Sequence, residues 1–372
     1  MSSAVVYSFL HEMINRHATD LYLTVGVPPT LRIENELFTL SELPLTEEDM
    51  QVMLNDVLTS RQRREFDANM ELNLALDMGG EGRFRVNVMR QRQQSGMVIR
   101  HITSRIPSFE QLRLPKVMEE LSLEKRGLIL VCGVTASGKS TSLASMVDYR
   151  NQNVGGHIIT IEDPIEFYHD HKRAIITQRE VGIDTNSYGV ALRNALRQKP
   201  DVIMVGEIRE TDVMDQALTA AETGHLCLST LHASSASQAI DRIINFFPEE
   251  RHLQVRSALA INLRAIVAQR LVRTVSGGLV VAMEVLLNEA FIKELIMKGD
   301  IPRIKEVMSN NKPAGMVTFD QSLFKLFVDN EIDEKTAISE ADIPADMKMR
   351  IQQYKLSGNE GLPNIDTSRL SL

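Results

Sequence analysis

The sequence predicts an α/β protein in two parts: a small α+β unit over residues 1–105, then a larger unit built on a mostly parallel sheet with helices on both faces. Three observations carry that prediction. An apolar strand-type run, Leu128 to Val131, leads straight into Gly133-x4-Gly138-Lys139-Ser140 and a helix-compatible segment. From there strand and helix patterns alternate, as a parallel sheet with covering helices requires. The first 105 residues instead carry short strands and helices separated by turn signals. A chain of 372 residues, 43% apolar and 24% charged, has material for two or more ordinary globular cores.

Taken in order, Val5 to Asn15 has helical spacing and Asp20-Leu-Tyr-Leu-Thr alternates like a strand. Gly26-Val-Pro-Pro marks a turn before Leu31-Arg-Ile-Glu. Helical segments around 46–67 precede the strand-like Leu72 to Leu76, a Gly-Gly-Glu-Gly turn at 79–82, and the strand-like Arg83 to Arg90. Between Gly82 and Phe109 there are six arginines (83, 85, 90, 92, 100, 105) and no acidic residue. That asymmetry has three readings. Nucleic-acid binding lacks the stacking aromatics and lysines it would use. A solvated basic strand face accounts for most of the arginines. In the third reading one or two meet a phosphate, since Arg83 and Arg85 alternate onto one face and can present rigid guanidinium forks. Ile106 to about residue 120 reads as a linker with a short helix from Lys116 to Leu121, followed by a unit at 121–345.

The chemistry gathers after strands. In a P-loop, glycines let consecutive backbone N–H groups turn toward phosphates, and the new helix points its positive end at them. Gly133, Thr135, Ala136, Ser137, Gly138, Lys139, Ser140 and Thr141 are the candidates; Lys139 would reach the β/γ-phosphates of ATP and Ser140 would ligate Mg²⁺. His157 to Ile161 ends in Glu162-Asp163-Pro164-Ile-Glu166, placing three carboxylates past a strand's C-terminal end, where such sheets bind ligands. Asp201 to Val205 ends in Gly206-Glu207; Gly206 stands where many ATPases have a metal-holding Asp, leaving Glu207 to serve the metal or its water. Hydrolysis needs a carboxylate to orient or deprotonate water, and Glu166 and Glu207 are the candidates. Glu162 and Asp163 fit a capping role beside Pro164 as well as a direct one. His225 and His232 bracket a short apolar strand; either fits a structural role, and His232 also fits a γ-phosphate sensor.

Composition excludes some classes. A net charge of −8 argues against a surface built for nucleic acid. No apolar stretch approaches a membrane span, and no basic segment followed by an apolar one opens the sequence, so the expectation is a cytoplasmic protein without membrane insertion. Cys132 and Cys227 sit in apolar runs as buried thiols, and two cysteines cannot build a four-cysteine zinc site.

These residues carry a resemblance. Gly-Val-Thr-Ala-Ser-Gly-Lys-Ser-Thr, Thr160 to Glu166, Val205-Gly-Glu207-Ile-Arg209, and Leu218 to His225 with Thr230-Leu-His232 resemble the Walker A, Asp, Walker B and His boxes of the secretion ATPase superfamily. More narrowly they resemble the type IV pilus retraction ATPases, the PilT/PilU family. Ala18-Thr-Asp-Leu, Arg83-Phe-Arg-Val-Asn, Ala191 to Arg197 and Asp320-Gln-Ser-Leu are similar to family segments too, so roughly residues 1 to 345 are covered. The resemblance implies a PAS-like N-terminal domain and a RecA-like P-loop ATPase domain that bind nucleotide between them. Arginines at matching positions, Arg83, Arg85 and Arg100, would reach the phosphates, and Arg126 just before the P-loop strand is a further candidate. It also implies Glu166 as general base, Glu207 as the Walker B residue and a homo-hexameric motor, while their strand-end positions leave His225 and His232 as candidate nucleotide contacts.

Three departures refine it. Val134 and Ala136 replace the Pro and Gly usual in the family's loop. Ala290 to Lys298 lacks the arginines of the corresponding retraction motif. The C-terminus is longer, with a helix from Asp346 to Leu356 and a tail from Ser357 to Leu372 that reads as disordered. The last two favour the PilU branch. The expected function is therefore an Mg-ATP hydrolysing motor that assists pilus retraction and twitching motility beside a PilT-like motor ATPase, docked at the inner-membrane pilus platform protein. The alternatives are a RecA-like DNA translocase and a non-hydrolysing nucleotide-dependent adaptor of the same machine.

Overall fold

The computed structural model describes residues 5–34, 36–79, 81–102, 106–310 and 315–357. The 79–82 turn lies partly outside them; Arg105 and nearly all of the expected tail lie wholly outside. Two compact units emerge: residues 1–105 with 165–168 and 182–184, and residues 106–164, 169–181 and 185 onward.

In the first unit, helix α1 (Val5–Asn15) leads to strands β1 (Asp20–Thr24), β2 (Thr30–Ile33) and β3 (Glu36–Thr39). Helices α2 (Glu47–Val57) and α3 (Ser60–Asn69) precede β4 (Glu71–Asp77), β5 (Arg83–Gln91) and β6 (Gln94–Ile102). Both α2 and α3 open on a capping box, Thr46 with Asp49 and Thr59 with Gln62, which satisfies N–H groups the first turn leaves open. The sheet order is β3-β2-β1-β6-β5-β4, with every pairing antiparallel. Alternation puts Leu21, Leu23, Phe84, Val86, Val88, Met97 and Ile99 on one face, against Leu10, Met53, Leu54 and Phe66 of the helices. The other face carries polar side chains.

The second unit contains α4 (Val117–Ser122), β7 (Gly127–Cys132), α5 (Lys139–Asn153), β8 (Gly156–Glu162), β9 (Ala174–Glu180), α6 (Tyr188–Ala195), β10 (Val202–Val205), α7 (Thr211–Glu222) and β11 (Leu226–Leu231). It continues through α8 (Ala236–Asn245), α9 (His252–Asn262), β12 (Leu263–Arg273) and β13 (Leu279–Leu287). It closes with α10 (Ala290–Lys298), α11 (Pro302–Asn310), α12 (Phe319–Val328), α13 (Glu334–Glu340) and α14 (Pro344–Leu356). The sheet order is β13-β12-β7-β11-β10-β8-β9, parallel throughout except for β13 at one edge. Both faces are buried. Ile129, Val131, Ile158 and Met204 pack against α4 and α5, whereas Leu128, Leu130, Ile159 and Ile203 pack against helices from α6 to α14. The expected α/β class, with two sheets, is borne out.

Two segments differ in role from their sequence reading. Residues 106–120, expected as a linker, belong to the second unit, and Phe109, Leu114, Val117 and Met118 are buried in its core. The C-terminal helix is no detached appendage: Met347 and Ile351 of α14 are fully buried in the core under α12 and α13, each contributing about 1.5–3 kcal/mol on ordinary burial scales.

Candidate active site

The loop after β7 has the backbone a phosphate cradle requires. Ala136 (φ 61°) and Gly138 (φ 87°) lie in the left-handed region, and the fold leaves no room for a side chain at Gly133, where a Cβ would stand 2.3 Å from the Ser137 hydroxyl and 2.7 Å from the Gln269 carbonyl. Helix α5 starts with no side-chain cap, where α2, α3, α6, α8 and α12 each have one, and with no acidic residue in its first turn, so its leading N–H groups remain available to an anion. Lys139 is buried at the helix start and donates from Nζ to the Gly133 (2.9 Å) and Val134 (2.8 Å) carbonyls, folded onto the loop it serves. Ser140 and Thr141 follow, half-buried, in the first turn. Buried Ser137 has no hydrogen-bond partner for its hydroxyl among the described residues.

Strand register sets which residues share this edge. Leu231 pairs with Cys132, so His232 follows β11 at the level of Gly133 on β7. Val205 pairs with both Ser229 and Ile161, so Gly206 and Glu162 lie at the same edge. Neighbouring strands stand about 4.8 Å apart. The spatial sequence is therefore P-loop, His232, Glu207, Glu162, although the chain order is P-loop, Glu162, Glu207, His232.

Glu207 is held at both of its carboxylate oxygens. Its Oε1 meets His232 Nε2 at 3.0 Å and its Oε2 meets Arg209 Nη2 at 2.6 Å. Hydrogen bonding to Glu207, together with its charge, holds Arg209 above its ordinary pKa. Glu162 is buried and accepts at Oε1 from the Thr160 hydroxyl (2.6 Å) and from Gln178 Nε2 (3.2 Å). Neither bond is a helix or turn cap. Glu166 is exposed and lies on the 165–168 segment that groups with the first unit.

Gly206 has a steric explanation. A Cβ there would lie 3.2 Å from the Tyr188 hydroxyl, 3.3 Å from the Ile161 carbonyl and 3.4 Å from Glu162 Cα. A side chain at this position would have to displace these neighbours by a few tenths of an ångström. Tyr188 and Arg209 were not singled out as site residues from sequence, because a tyrosine opening a helix reads as core and an arginine two residues past a carboxylate reads as surface. Burial raises the Tyr188 pKa, and the charges of Asp163, Glu162 and Glu207 raise it further.

One expectation is corrected. His225 was a candidate nucleotide contact, but it precedes β11, and its carbonyl accepts from the N–H of Gly127 at the start of β7. That is the sheet edge opposite the P-loop, the full length of β7 away. There His225 Nδ1 lies 3.1 Å from the Ala220 carbonyl and 3.1 Å from the Thr223 hydroxyl, finishing the turn after α7.

The arginines of the first unit form a row on its polar sheet face. Arg100 is cross-strand from both Asp20 and Arg85, and Asp20 is also cross-strand from Arg32. Arg100 pairs with buried Asp20 (2.7 Å), whereas Arg85 has no ion pair among the described residues. Like charges directly opposite are destabilising, so the Arg85–Arg100 pairing favours an anion over this face. Arg83 shares the face and lies over the Tyr168 ring at 5.5 Å. Arg90 instead pairs with Asp67, as a surface residue would. Arg32, with a buried Nε lacking a partner among the described residues, was missed; it lies outside the arginine-dense stretch.

The donor set fits Mg-nucleotide. Hard oxygen ligands at one edge, the Ser140 hydroxyl with the Glu207 and Glu162 carboxylates, suit Mg²⁺, and the uncapped α5 start beside a left-handed loop suits phosphates. A loop, lysine and acid-bearing strand ends in this arrangement define a P-loop nucleoside triphosphatase. Comparison with known proteins narrows the class. The sequence pattern described as "Type II/IV secretion system protein" matches residues 9–291. The type IV pilus ATPase PilU of Pseudomonas aeruginosa is 47% identical over 98% of this chain and 95% of its own length. The type IV pilus retraction ATPase PilT of the same organism is 39% identical over 88% of this chain and 95% of its own. The crystal structure of the pilus retraction motor PilT with bound ADP superposes with a TM-score of 0.85 at 40% identity, covering 92% of this chain and 99% of that one. The chain belongs to the Type II/IV secretion system protein family, and within it to the type IV pilus retraction ATPases.

Proposed function

We propose that this protein is an Mg-ATP hydrolysing, homo-hexameric motor that assists type IV pilus retraction and twitching motility, working beside a PilT-like motor ATPase on the cytoplasmic side of the inner-membrane pilus platform protein. The observation that carries the proposal is the shared edge of β7, β11, β10 and β8. It brings the P-loop, His232, Glu207 and Glu162 together in a chain 47% identical to a PilU ATPase. No helix among the described residues is long and apolar enough to cross a membrane.

The residue roles follow from chemistry. Lys139 leaves the loop carbonyls for the β/γ-phosphates, and the N–H groups of residues 133–141 hold the phosphate oxygens. Ser140 and Glu207 are the groups that hold Mg²⁺ or its water shell; when bound, the ion neutralises charge that develops on the γ-phosphate. Glu166 takes the proton of the attacking water, and His232, bonded to Glu207, senses the γ-phosphate. Arg83, Arg85 and Arg100 are phosphate-contacting groups, adding positive charge where negative charge grows. Hydrolysis then alternates conformations of neighbouring subunits.

Two variants test the site. Lys139→Ala abolishes binding of a fluorescent ATP analogue, whereas Glu207→Gln keeps binding within a few-fold and lowers turnover by two or more orders of magnitude, the usual scale for losing an electrostatic group of this kind. Wild-type turnover in either variant would remove the assignment. Turnover stimulated by DNA in a salt-sensitive way would move the protein to the translocase class.

A further inference from the structure

We propose that Tyr188 is a further positioning residue of the hydrolytic centre, its hydroxyl standing at Gly206 as an available donor to the carboxylates gathered there. This rests on the reading of Glu207 as the metal-serving acid. Tyr188 is the first residue of α6, and the Ser187 cap, accepting from the Val190 N–H, fixes where the helix begins. Its ring packs into the core beneath the sheet edge. Its hydroxyl reaches the gap left by the missing side chain of Gly206, 3.2 Å from where a Cβ would be, with Glu162 Cα on the other side of that gap. No hydrogen bond from the hydroxyl occurs among the described residues. Asp163, Glu162 and Glu207 all lie close enough to act on it electrostatically, with Arg209 as the one opposing charge.

Acids converging on adjacent strand ends repel one another. Arg209 offsets that repulsion with a full charge, but its side chain is 71% exposed and lies on Glu207 Oε2, an oxygen that Mg²⁺ or its water would use. A phenol differs on both counts: it can donate one hydrogen bond while leaving the charge of the acids intact, and a half-buried ring with two torsions loses little freedom in doing so. Gly206 and Tyr188 therefore form a matched pair, the hydroxyl standing where a second acid of the strand would otherwise start.

The test uses the full-length protein and Tyr188→Phe, which keeps the ring. The expected result is a fall in kcat of about tenfold or more, with KM for ATP within about twofold. A second readout does not depend on turnover: the Mg²⁺ concentration at which a non-hydrolysable ATP analogue half-maximally raises Tm should shift upward by at least threefold. Gly206→Ala, which crowds the hydroxyl and leaves the tyrosine, should show the same two changes. A tyrosine that only packs would lower Tm in every condition without moving kcat or the Mg²⁺ midpoint, and that result overturns the proposal. If the wild type itself does not hydrolyse ATP, the motor reading fails, while the Mg²⁺ midpoint still decides the role of Tyr188.

Discussion

At the scale of single residues, His169 shows how burial sets a charge state that sequence does not reveal. Its side chain is 3% exposed, its Nδ1 has no partner among the described residues, and burial lowers its pKa to about 4 despite the opposing pull of Asp148. In the unfolded chain the imidazole protonates below its ordinary value near 6.5. The folded state keeps it neutral, so the stability it permits is complete above that value and drains away as pH falls toward 4, by on the order of 1 kcal/mol per pH unit. Urea midpoints at pH 7.5 and 5 check this: His169→Gln should lose less between the two than wild type. A histidine in a His-Asp-His stretch reads as surface, and only the strands packed around it say otherwise. The same divide runs through the site. Lys139, Glu207 and His232 were legible because loop spacing and strand ends place them. His225 was misplaced because the two ends of a strand look alike until register is known, and Tyr188 was invisible because its partner is a glycine from a different strand.

At the scale of elements, long periodic or glycine-marked segments were readable and tight hairpins were not. The strands β4, β5, β7, β8 and β11 follow their apolar patterns. Strand β6 was missed because its turn is Arg92-Gln93, with φ of 47° and 67°. That backbone is usually signalled by Asn-Gly, and Gln91 pairing with Gln94 closes a two-residue hairpin that composition does not announce. The phosphate loop carries a related signature. Ala136 sits at φ 61° where the family's usual residue is glycine, and left-handed backbone costs a residue with a Cβ about 1–2 kcal/mol. Ala136→Gly relieves that strain and gives back about 0.4–1 kcal/mol through a freer unfolded chain. The net expectation is about 0.5 kcal/mol of stabilisation, roughly 1–2 °C in the Tm of the nucleotide-free protein. Analogue affinity should stay within about twofold, since the donors are backbone N–H groups.

At the scale of the whole molecule, the motor reading predicts behaviour no single subunit shows. Specific ATPase activity over a dilution series should rise with protein concentration and vanish in Lys139→Ala, because a ring completes its sites by assembly. Activity constant to the lowest concentration would mean that each subunit works alone. Bound analogue without turnover at any concentration would favour the adaptor reading. Both units and their fold class were legible from alternation and turn signals. The burial of residues 106–120 and of α14 was not, because a segment rich in turn residues and a short amphipathic helix each need a partner surface before their apolar side chains declare a side.

The order of strands also bears on when the protein becomes chemically competent during its synthesis. The P-loop strand β7 is made early, by residue 132, yet its neighbours in the sheet are β11 and β12, which end at residues 231 and 273. A nascent chain that has emerged only through Glu207 holds a lysine, a glycine loop and both strand-end acids without β11, the strand that brings them into one row. Parallel pairings so distant in sequence form late. A product truncated before β11 is consequently a silent one that consumes no nucleotide.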